Sequence, residues 1–449
     1  MPIIRKTVLG DENGNILTFG DIGILLDSQE GSYIYGYEDY LAKLRTDFVK
    51  IAKLEFLNAD GTIAFALDNN AKNQHSGAFI QDGNLTVNLN NGKRRQATVT
   101  LANLDNAFLY DVSHIWFGTQ LRLSMGVLMD DGSEYYIPQG VFEIEQPTEN
   151  YNPNLRTMQY QLVDKWANLD GTLLGNLEGA YKVEAGTNIF TAMDSIRRLG
   201  RYDMGNDSAY PIDNIAPIYT NYYNNKTQTL TDGSVVSLID APYDYLSDDS
   251  GTLADVMVGL SEMLAAWIGY NAAGRLVVDP SQDDIEDISK PVLWTFRPTE
   301  KQFLGATYVT KPADIYNDVI VVGDTNDNNY TPYGRAQNLD PSSDTCVSRI
   351  GLKTKRISMS NYYSNDICEA YAEWQLKRYA TVSKSITIKS TQMFHLSENS
   401  LVEIERPDKE GSPIERHLIQ GYTLPIGQTG EMTINAISTQ DYPTATIIN

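Results

Sequence analysis

The chain has 449 residues, and a single hydrophobic core rarely grows beyond about 250–300 residues, so two or three domains are expected. Apolar residues make up 42% of the chain and charged residues 21%, a composition that indicates a folded soluble protein and excludes a disordered one. The 58 acidic and 35 basic residues give a net charge of −23, which repels phosphates over a Debye length of about 8 Å and excludes DNA binding by phosphate neutralisation.

Cysteine is scarce, because the chain has only Cys346 and Cys368. This excludes a disulfide-dense scaffold or a cysteine-rich zinc site and favours two reduced thiols in a cytoplasm. The N-terminus reaches polar turn residues too soon for a signal peptide. The longest near-apolar run, residues 256–270, contains Ser261 and Glu262 and is too short to span a membrane. A soluble protein made in the cytoplasm is therefore expected.

The first 165 residues change character near residue 46. Glycines separate short apolar pieces in residues 1–45, which predicts an N-terminal arm or a small subdomain. Residues 46–165 then contain alternating apolar positions separated by turn signals such as Asn91-Gly92. Many short strands with few helices predict a first β-barrel-like domain over residues 46–165.

Two helical patterns mark residues 166–298. One begins at Thr187 and ends at Gly200. The other begins at Thr252, where Asp255 completes a capping box, and its apolar face is expected to continue to Trp267 before Gly269 ends it. The tyrosine- and asparagine-rich segment between the helices is expected to be a long loop. These patterns predict an α+β middle domain.

Strand patterns return over residues 299–449, interrupted by one helix, DICEAYAEWQLKRYA. This predicts a second β-barrel-like domain with one helix and C-terminal strands. The fold class is therefore predicted to be α+β and mainly β, with two β-barrel-like tube domains flanking a helix-containing middle domain. No short-period repeat is present, although the two β domains could form a degenerate pair.

Motifs for catalysis, metal binding or cofactor binding are missing. None of the four histidines is spaced with other ligands as in a metal site, and His114 is interpreted as a packed residue. The segment from Asp324 to Arg335 resembles a calcium loop, but Asn329 replaces the required glycine and Arg335 the final glutamate. We expect an exposed loop there, a solvated acidic loop at residues 282–287, and no catalytic, metal or cofactor site.

Three stretches, taken in order, resemble one family. The first runs from KLEFLNADGTI through GNLTVNLNNGKRRQATVTLANLDNAF to LRLSMGVLMDDGSEYYIPQGVFEIEQP. The second is the helix and arm TLADVMVGLSEMLAAWIGYNAAGRLVV, and the third runs from YNDVIVVG to GYTLPIGQTGEMTINA. Over residues 46–440 this order resembles the tail-hub (baseplate hub, or tail-associated) proteins of tailed bacteriophages and related contractile particles.

The resemblance implies a structural role in a virion. Hub subunits form a ring, usually a homotrimer, in which two β domains per chain present six similar units to a six-fold tail tube. The ring joins the tube or distal tail protein to spike, fibre or receptor-binding proteins at the tail tip, and DNA passes through it. No enzymatic activity, no cofactor and no membrane anchor are expected from the sequence, and an acidic channel would suit DNA passage during host cell entry.

Two other functions stay open at the level of sequence. A carbohydrate-binding receptor-recognition protein at the tail tip would need aromatic platforms, and Tyr219, Tyr222 and Tyr223 would then line an exposed groove. A wall hydrolase could use paired carboxylates whose spacing is three-dimensional and cannot be read from sequence.

The densest basic run, Lys93-Arg94-Arg95, directly follows the Asn91-Gly92 turn. Successive strand residues point to opposite faces, so Arg94 cannot serve the same site as Lys93 and Arg95. This argues against a nucleic-acid patch and favours cross-strand or intersubunit pairing with some of the acidic residues. The three residues are the candidate interface, and replacing Arg94 and Arg95 by glutamate is expected to impair assembly while leaving the monomer folded.

Overall fold

The computed structural model describes residues 36–58, 61–70, 78–90, 92–103, 108–111, 115–152, 155–199, 217–219, 221–230, 233–264, 266–280, 291–310, 312–325, 329–359, 362, 364–380, 384–427, 429–439 and 444–448. Five helices lie in these residues: α1 Tyr37–Leu44, α2 Ile189–Leu199, α3 Leu253–Met263, α4 Val347–Ile350 and α5 Asn365–Ala380. The mainly β character, with helices concentrated after residue 188, is confirmed.

Two sets of strands form the largest sheet. The first set comprises β1 Val49–Leu57, β2 Ile63–Asp68, β3 Ala78–Asn88, β4 Arg95–Asn103, β5 Gln120–Leu128, β6 Glu134–Asn152 and β7 Leu155–Asp164. The second comprises β15 Val292–Phe296, β16 Phe303–Thr310, β20 Lys384–Ser390, β21 Leu401–Glu405, β22 Ile414–Pro425 and β23 Met432–Ser438. We call these sets the first and second half-sheets.

The remaining strands form smaller sheets. They are β8 Lys182–Val183, β9 Ile218–Tyr219, β10 Thr227–Thr229, β11 Val235–Ser237, β12 Tyr245–Leu246, β13 Ala266–Tyr270, β14 Leu276–Pro280, β17 Asp318–Val322, β18 Tyr333–Gln337, β19 Thr354–Ser358 and β24 Thr446–Ile447.

The first half-sheet is ordered β3-β4-β7-β6-β5-β1-β2 and is strongly curled. Three strand spacings separate β1 from β7, which would place them about 14 Å apart in a flat sheet. The ring centroids of Phe56 on β1 and Tyr160 on β7 nevertheless lie 6.5 Å apart. The alternating apolar residues of the strands face inward and form the core of the curl.

The second half-sheet is ordered β16-β20-β23-β22-β21-β15 and curls in the same way. Its end strands approach each other, because the rings of Phe296 on β15 and Phe303 on β16 have centroids 6.1 Å apart. In the described part of the chain no ladder joins β15 to β16. The half-sheet is therefore curled but open.

The two half-sheets share one strand order. The first pairs β3-β4-β7-β6-β5-β1, and the second pairs the corresponding strands β16-β20-β23-β22-β21-β15 in the same sequence. The bulge of β3 between Ile80 and Asp82 matches that of β16 between Phe303 and Gly305. One difference is that β1 pairs antiparallel with β5, whereas β15 pairs parallel with β21.

The bulges of β6 and β22 match as well. Each strand pairs with its successor and has one register shift, between Ile144 and Gln146 in β6 and between Ile419 and Gly421 in β22. Because bulges interrupt a ladder at defined positions, two coincident bulges align the half-sheets residue by residue. The structure therefore supports the suggestion from the sequence that the two β domains are a degenerate duplicate of each other.

The half-sheets are joined edge to edge. The last residues of β22 pair antiparallel with β3, so one open sheet of 13 strands runs through both halves. The described strands thus form open sheets, and the expected arrangement of two β-barrel-like domains is not confirmed. The reason is that β22 is long enough to pair with β21 through its first residues and with β3 through its last.

The middle unit packs α2 and α3 with β13, β14 and β9 around its own core. Thr252 caps α3 and Asp255 completes the capping box, as predicted. The helix ends at Met263 rather than continuing to Gly269, which is a correction. Residues 266–270 instead form β13, which pairs with β14. The intervening turn is stabilised by the Asn271 side chain, which accepts hydrogen bonds from the backbone of Ala273 and Arg275.

Two further expectations are corrected. The tyrosine-rich segment between α2 and α3 contains short strands and a 3-10 turn rather than being one long loop. Residues 299–449 contain a second helix besides the expected one, because the segment CVSRIGLKTKRISM begins with α4 before it forms β19. The strands β19-β17-β18-β24 make a separate sheet, and α5 packs on one of its faces.

Candidate functional site: the seam between the half-sheets

The basic turn lies where the two half-sheets and the middle unit meet, a region that we call the seam. Lys93 is the outermost of its three residues and contacts the segment that follows β7. The Lys93 Nζ lies 3.2 Å from Asp170 Oδ2 and donates a hydrogen bond of 2.6 Å to Thr172 Oγ1. Because both partners are partly exposed, this pair contributes little to stability.

Arg95 crosses the seam. Its guanidinium Nη2 lies 2.5 Å from Oε2 of Glu398, and each of the two side chains is 1% exposed. Nη1 donates to the carbonyl of Gln139 at 2.8 Å and to the hydroxyl of Tyr422 at 3.4 Å. Arg95 and Gln139 belong to the first half-sheet, whereas Tyr422 and Glu398 belong to the second and its connecting loop. The guanidinium is therefore a buried link between the halves.

Arg94 faces the middle unit. It is 3% exposed, and a Cβ added to Gly269 of β13 would lie 2.3 Å from its Nε. Only glycine therefore leaves room for the arginine at this contact. Among the described residues, the Nε and Nη2 atoms of Arg94 have no hydrogen-bond acceptor.

Asp164, at the end of β7, accepts the backbone N–H of Arg95 through Oδ2 at 2.9 Å and that of Trp166 through Oδ1 at 3.1 Å. Complete burial raises the pKa of its carboxyl to about 7, although these two hydrogen bonds and the nearby arginines oppose the shift. The seam therefore contains a carboxyl group that titrates near neutral pH.

Lys50 of β1 is a second titratable group between the halves. Its Nζ donates to the carbonyl of Pro425 at the end of β22, at 2.8 Å. Burial lowers the pKa of this lysine to about 7, and Asp82 opposes the shift. A lysine with this contact is a sensitive reporter of the distance between β1 and β22.

Residues of α1 and the loop before β21 extend the seam. The Nε2 of Gln139 donates to the carbonyl of Phe394 at 2.8 Å, and the Tyr40 hydroxyl lies 3.1 Å from Nδ1 of His395. Burial lowers the pKa of His395 to about 3, so it is neutral at physiological pH. The helix α1, which the sequence did not predict, thus packs across both half-sheets.

These contacts revise one sequence-based expectation. Lys93 and Arg95 do pair with acidic residues, but within the same chain. Replacing Arg94 and Arg95 by glutamate would place two carboxylates in buried positions, one of them beside Glu398, so the monomer is not expected to stay folded. A role of the three residues in contacts between subunits stays a prediction.

The tyrosines proposed for sugar binding pack within the middle unit. Tyr223 is fully buried, and the ring of Tyr219 stacks on Phe190 at 4.4 Å and donates its hydroxyl to the Phe190 carbonyl. The ring of Tyr222 meets Tyr223 edge-on and lies under the ammonium of Lys226. Tyr223 is thus a core residue, and Tyr219 and Tyr222 are partly buried and pack against the same core.

Other candidate positions have structural partners. Arg335, the last residue of the calcium-like segment, donates to Asp318 at 2.8 Å. His114 and residues 282–287 lie outside the described residues. Within the described ranges, no group of three or more His, Cys, Asp or Glu side chains could hold a metal ion. In the same ranges, no helix has both the length and the apolar character needed to cross a membrane.

Comparison with solved structures identifies the fold. The tail protein from Neisseria meningitidis MC58 superposes with a TM-score of 0.54 at 9% identity, over 87% of this chain and 96% of that one. The 43 kDa tail protein of prophage MuSo2 from Shewanella oneidensis superposes with a TM-score of 0.51 at 12% identity, over 86% of this chain and 98% of that one. No protein-family model and no curated protein sequence matches the chain. The resemblance to phage tail proteins is thus confirmed as a likeness of fold.

Proposed function

We propose that the chain is a structural tail-hub subunit of a tailed bacteriophage, three copies of which form a ring between the distal tail tube and the tip or fibre apparatus. The observation that carries the proposal is the pair of equivalent half-sheets joined edge to edge. Three such chains present six similar units, which matches the symmetry of a six-fold tube. The likeness of fold to two tail proteins supports the same class of function.

The charge of the chain supports a conduit for DNA. A net charge of −23 per copy makes a three-chain ring strongly acidic, and acidic groups facing a channel repel phosphates at short range. DNA would pass such a channel without binding to its wall. The partners of the ring are further copies of the chain, a tail tube or distal tail protein, and spike, fibre or receptor-binding proteins.

The proposal describes a non-catalytic protein of the virion, assembled in the host cytoplasm and located at the tail tip or baseplate. In each copy, residues 46–165 and residues 299–449 together with β15 supply the two ring-forming domains, and the rest of residues 166–298 supplies the middle domain. The buried Arg95–Glu398 link holds the two ring-forming domains in a fixed relation.

Electron microscopy of the purified protein tests this function. Averaged images are expected to show closed rings with a central channel and six lobes. Clear lysis of cell walls by the purified protein in a zymogram would contradict a purely structural role. Particles without a channel, at every protein concentration and in the presence of tail tube, would contradict the ring.

A further inference from the structure

The junction inside the chain provides a template for a junction between chains. The last five residues of β22 pair with β3 in an antiparallel register that includes Tyr422↔Val87, Thr423↔Thr86 and Leu424↔Leu85. The strand β21 pairs only with residues 414–418 of β22. The strand β3 pairs along the same edge of β22, over residues 421–425, where β21 has ended. This internal junction joins the C-terminal end of β22, which we call the β22 tail, to β3, the edge strand of the first half-sheet.

The first half-sheet has a tail of the same kind. Beyond its bulge at Glu145, β6 continues from Gln146 to Asn152, paired with β7 on one side and extending past the end of β5 on the other. Counting from the coincident bulges, the residue equivalent to Thr423 in β22 is Thr148 in β6. We call residues 146–152 the β6 tail.

The second half-sheet has a first strand equivalent to β3. The strand β16 can be aligned with β3 because their bulges coincide and because their pairing partners, β20 and β4, correspond to each other. In this alignment Val309 of β16 corresponds to Thr86 of β3. In the template, Thr86 is the partner of Thr423. In β16, by contrast, the corresponding edge has no pairing strand among the described residues.

Side chains on both strands are exposed. On β16, Leu304 is 53% exposed and Val309 is 42% exposed, and on the β6 tail Tyr151 is 66% exposed. Edge strands in soluble proteins are usually protected by charged side chains, bulges or covering elements. The edge of β16 from Thr307 to Thr310 has no charged residue, so its exposed backbone and apolar side chains favour a covering strand.

We propose that the β6 tail of one copy pairs antiparallel with the outer edge of β16 of the next copy, in the register of the internal junction. Pro147 would then face Thr310, Thr148 would face Val309, Glu149 would face Tyr308, and Asn150 would face Thr307. This interface rests on the proposed ring and identifies the strands that close it.

The chemistry of the two edges is compatible with this pairing. Glu149 of one copy would lie beside Tyr308 of the next, over whose ring the guanidinium of Arg406 lies at 4.5 Å. Arg406 already pairs with Asp408 and Glu415, so Glu149 would meet a group of charges that is balanced rather than a free cation. Pro147 lacks a backbone donor and takes the position of Tyr422, whose N–H faces β3 in the template, so the proposed pairing has one hydrogen bond fewer than the internal junction.

The proposed pairing is compatible with a closed ring. Within each chain, the end of β22 pairs with β3. Between chains, the β6 tail of one copy would pair with β16 of the next copy. Such a contact is heterologous, because the two copies contribute different surfaces. Three copies then contain three internal and three intermolecular junctions of one type.

Mixing two single-cysteine variants tests the pairing. Purified Thr148→Cys and Val309→Cys proteins are mixed at high concentration and oxidised mildly, and the products are separated without reductant. Residues directly opposite each other on neighbouring strands have Cβ atoms about 4.5–5.5 Å apart, close enough for a disulfide after a small adjustment. The native Cys346 and Cys368 are buried and contribute little background.

The expected result is a two-chain product in the mixture and none with either variant alone. The matched control is Glu149→Cys mixed with Val309→Cys, because a neighbouring strand residue points to the opposite face and is expected to cross-link at least tenfold less. Equal cross-linking in the two mixtures would overturn the register. No cross-link in protein with a three-chain mass would overturn the interface but leave the ring, whereas no cross-link together with a single-chain mass would overturn both.

Discussion

The guanidinium of Arg95 and the carboxylate of Glu398 lie 2.5 Å apart across the seam, although 303 residues separate them in sequence. Each is almost wholly shielded from water, so neither charge can be hydrated if the other is removed. Removing one partner of such a buried pair costs about 3–5 kcal/mol. The pair therefore couples the stability of the two half-sheets.

Glu398→Gln is expected to destabilise the chain by about 3–5 kcal/mol, because it leaves the Arg95 charge buried without an opposite charge. The double variant Arg95→Met with Glu398→Gln is expected to cost less than the sum of Arg95→Met and Glu398→Gln measured singly. Urea denaturation followed by tryptophan fluorescence measures each term of this cycle. Lys301→Met, which breaks an exposed pair with Asp47, is the control and should change the midpoint little. Additive costs would show that the seam pair is not coupled.

The stability of the chain should fall between pH 4 and pH 7 through Asp164. The pKa of its folded state, about 7, lies above the value of 3.8 for an unperturbed carboxyl. The folded state therefore binds this proton more tightly, and its stabilising contribution, complete below pH 4, is lost as the pH rises to 7. Asp164→Asn should flatten the measured dependence of unfolding free energy on pH across this window. An unchanged slope would show that the carboxyl does not titrate there.

Lys50 should act in a different window and in the opposite direction. Its folded pKa of about 7 lies below the ordinary 10.5, so the unfolded state binds more protons between these values. Stability should rise with pH from 7 to 10.5 and level off above it. Lys50→Met is expected to remove this rise in denaturation curves measured from pH 7 to pH 10. A rise that persists in the variant would assign it to another group.

Gly269→Ala should destabilise the contact between the middle unit and the basic turn. The added Cβ would overlap the Arg94 side chain, and overpacking of this kind costs about 1–3 kcal/mol. Gly179→Ala is the matched control, because nothing lies within 4 Å of its added Cβ. Shortening the arginine in an Arg94→Ala background should remove most of the added cost of Gly269→Ala. The same cost in both backgrounds would contradict the contact.

Glu149→Lys should weaken association between copies, because the proposed interface brings residue 149 beside Tyr308 and Arg406 of the next copy. Reversing the charge places an ammonium group beside the Arg406 guanidinium, whose own charge is balanced by Asp408 and Glu415, so the concentration for half-assembly in analytical ultracentrifugation is expected to rise about two- to fivefold. Glu178→Lys makes the same change at an exposed position of the middle unit and should have little effect. Equal effects of both variants would indicate a response to net charge alone.

The sequence predicted β1–β7 and β20–β23 well, because their apolar alternation and turn residues are local signals, but it assigned β15 to the middle domain and did not predict β16. It also predicted α2, the capped start of α3, and α5. It failed at β13, where the apolar pattern continues smoothly from α3 and only the pairing with β14 selects a strand. Such pairing is a tertiary effect that helical periodicity cannot detect.

The seam was only partly predictable from the sequence. Strand alternation correctly separated Arg94 from Lys93 and Arg95, and these do contact different parts of the chain. It could not indicate that Arg95 is buried, since its partner Glu398 lies in a loop of the other half-sheet. The duplication was equally hidden, because it is preserved in strand order and bulge positions rather than in residue identity.

Native mass measurement over a range of protein concentrations tests the central claim most directly. Association through two different edges of each chain, closed after three copies, predicts a dominant species with three times the 50.1 kDa mass of the chain. A stable two-chain species, or a single chain at every concentration tested, would contradict the account of a three-copy ring built from paired half-sheets.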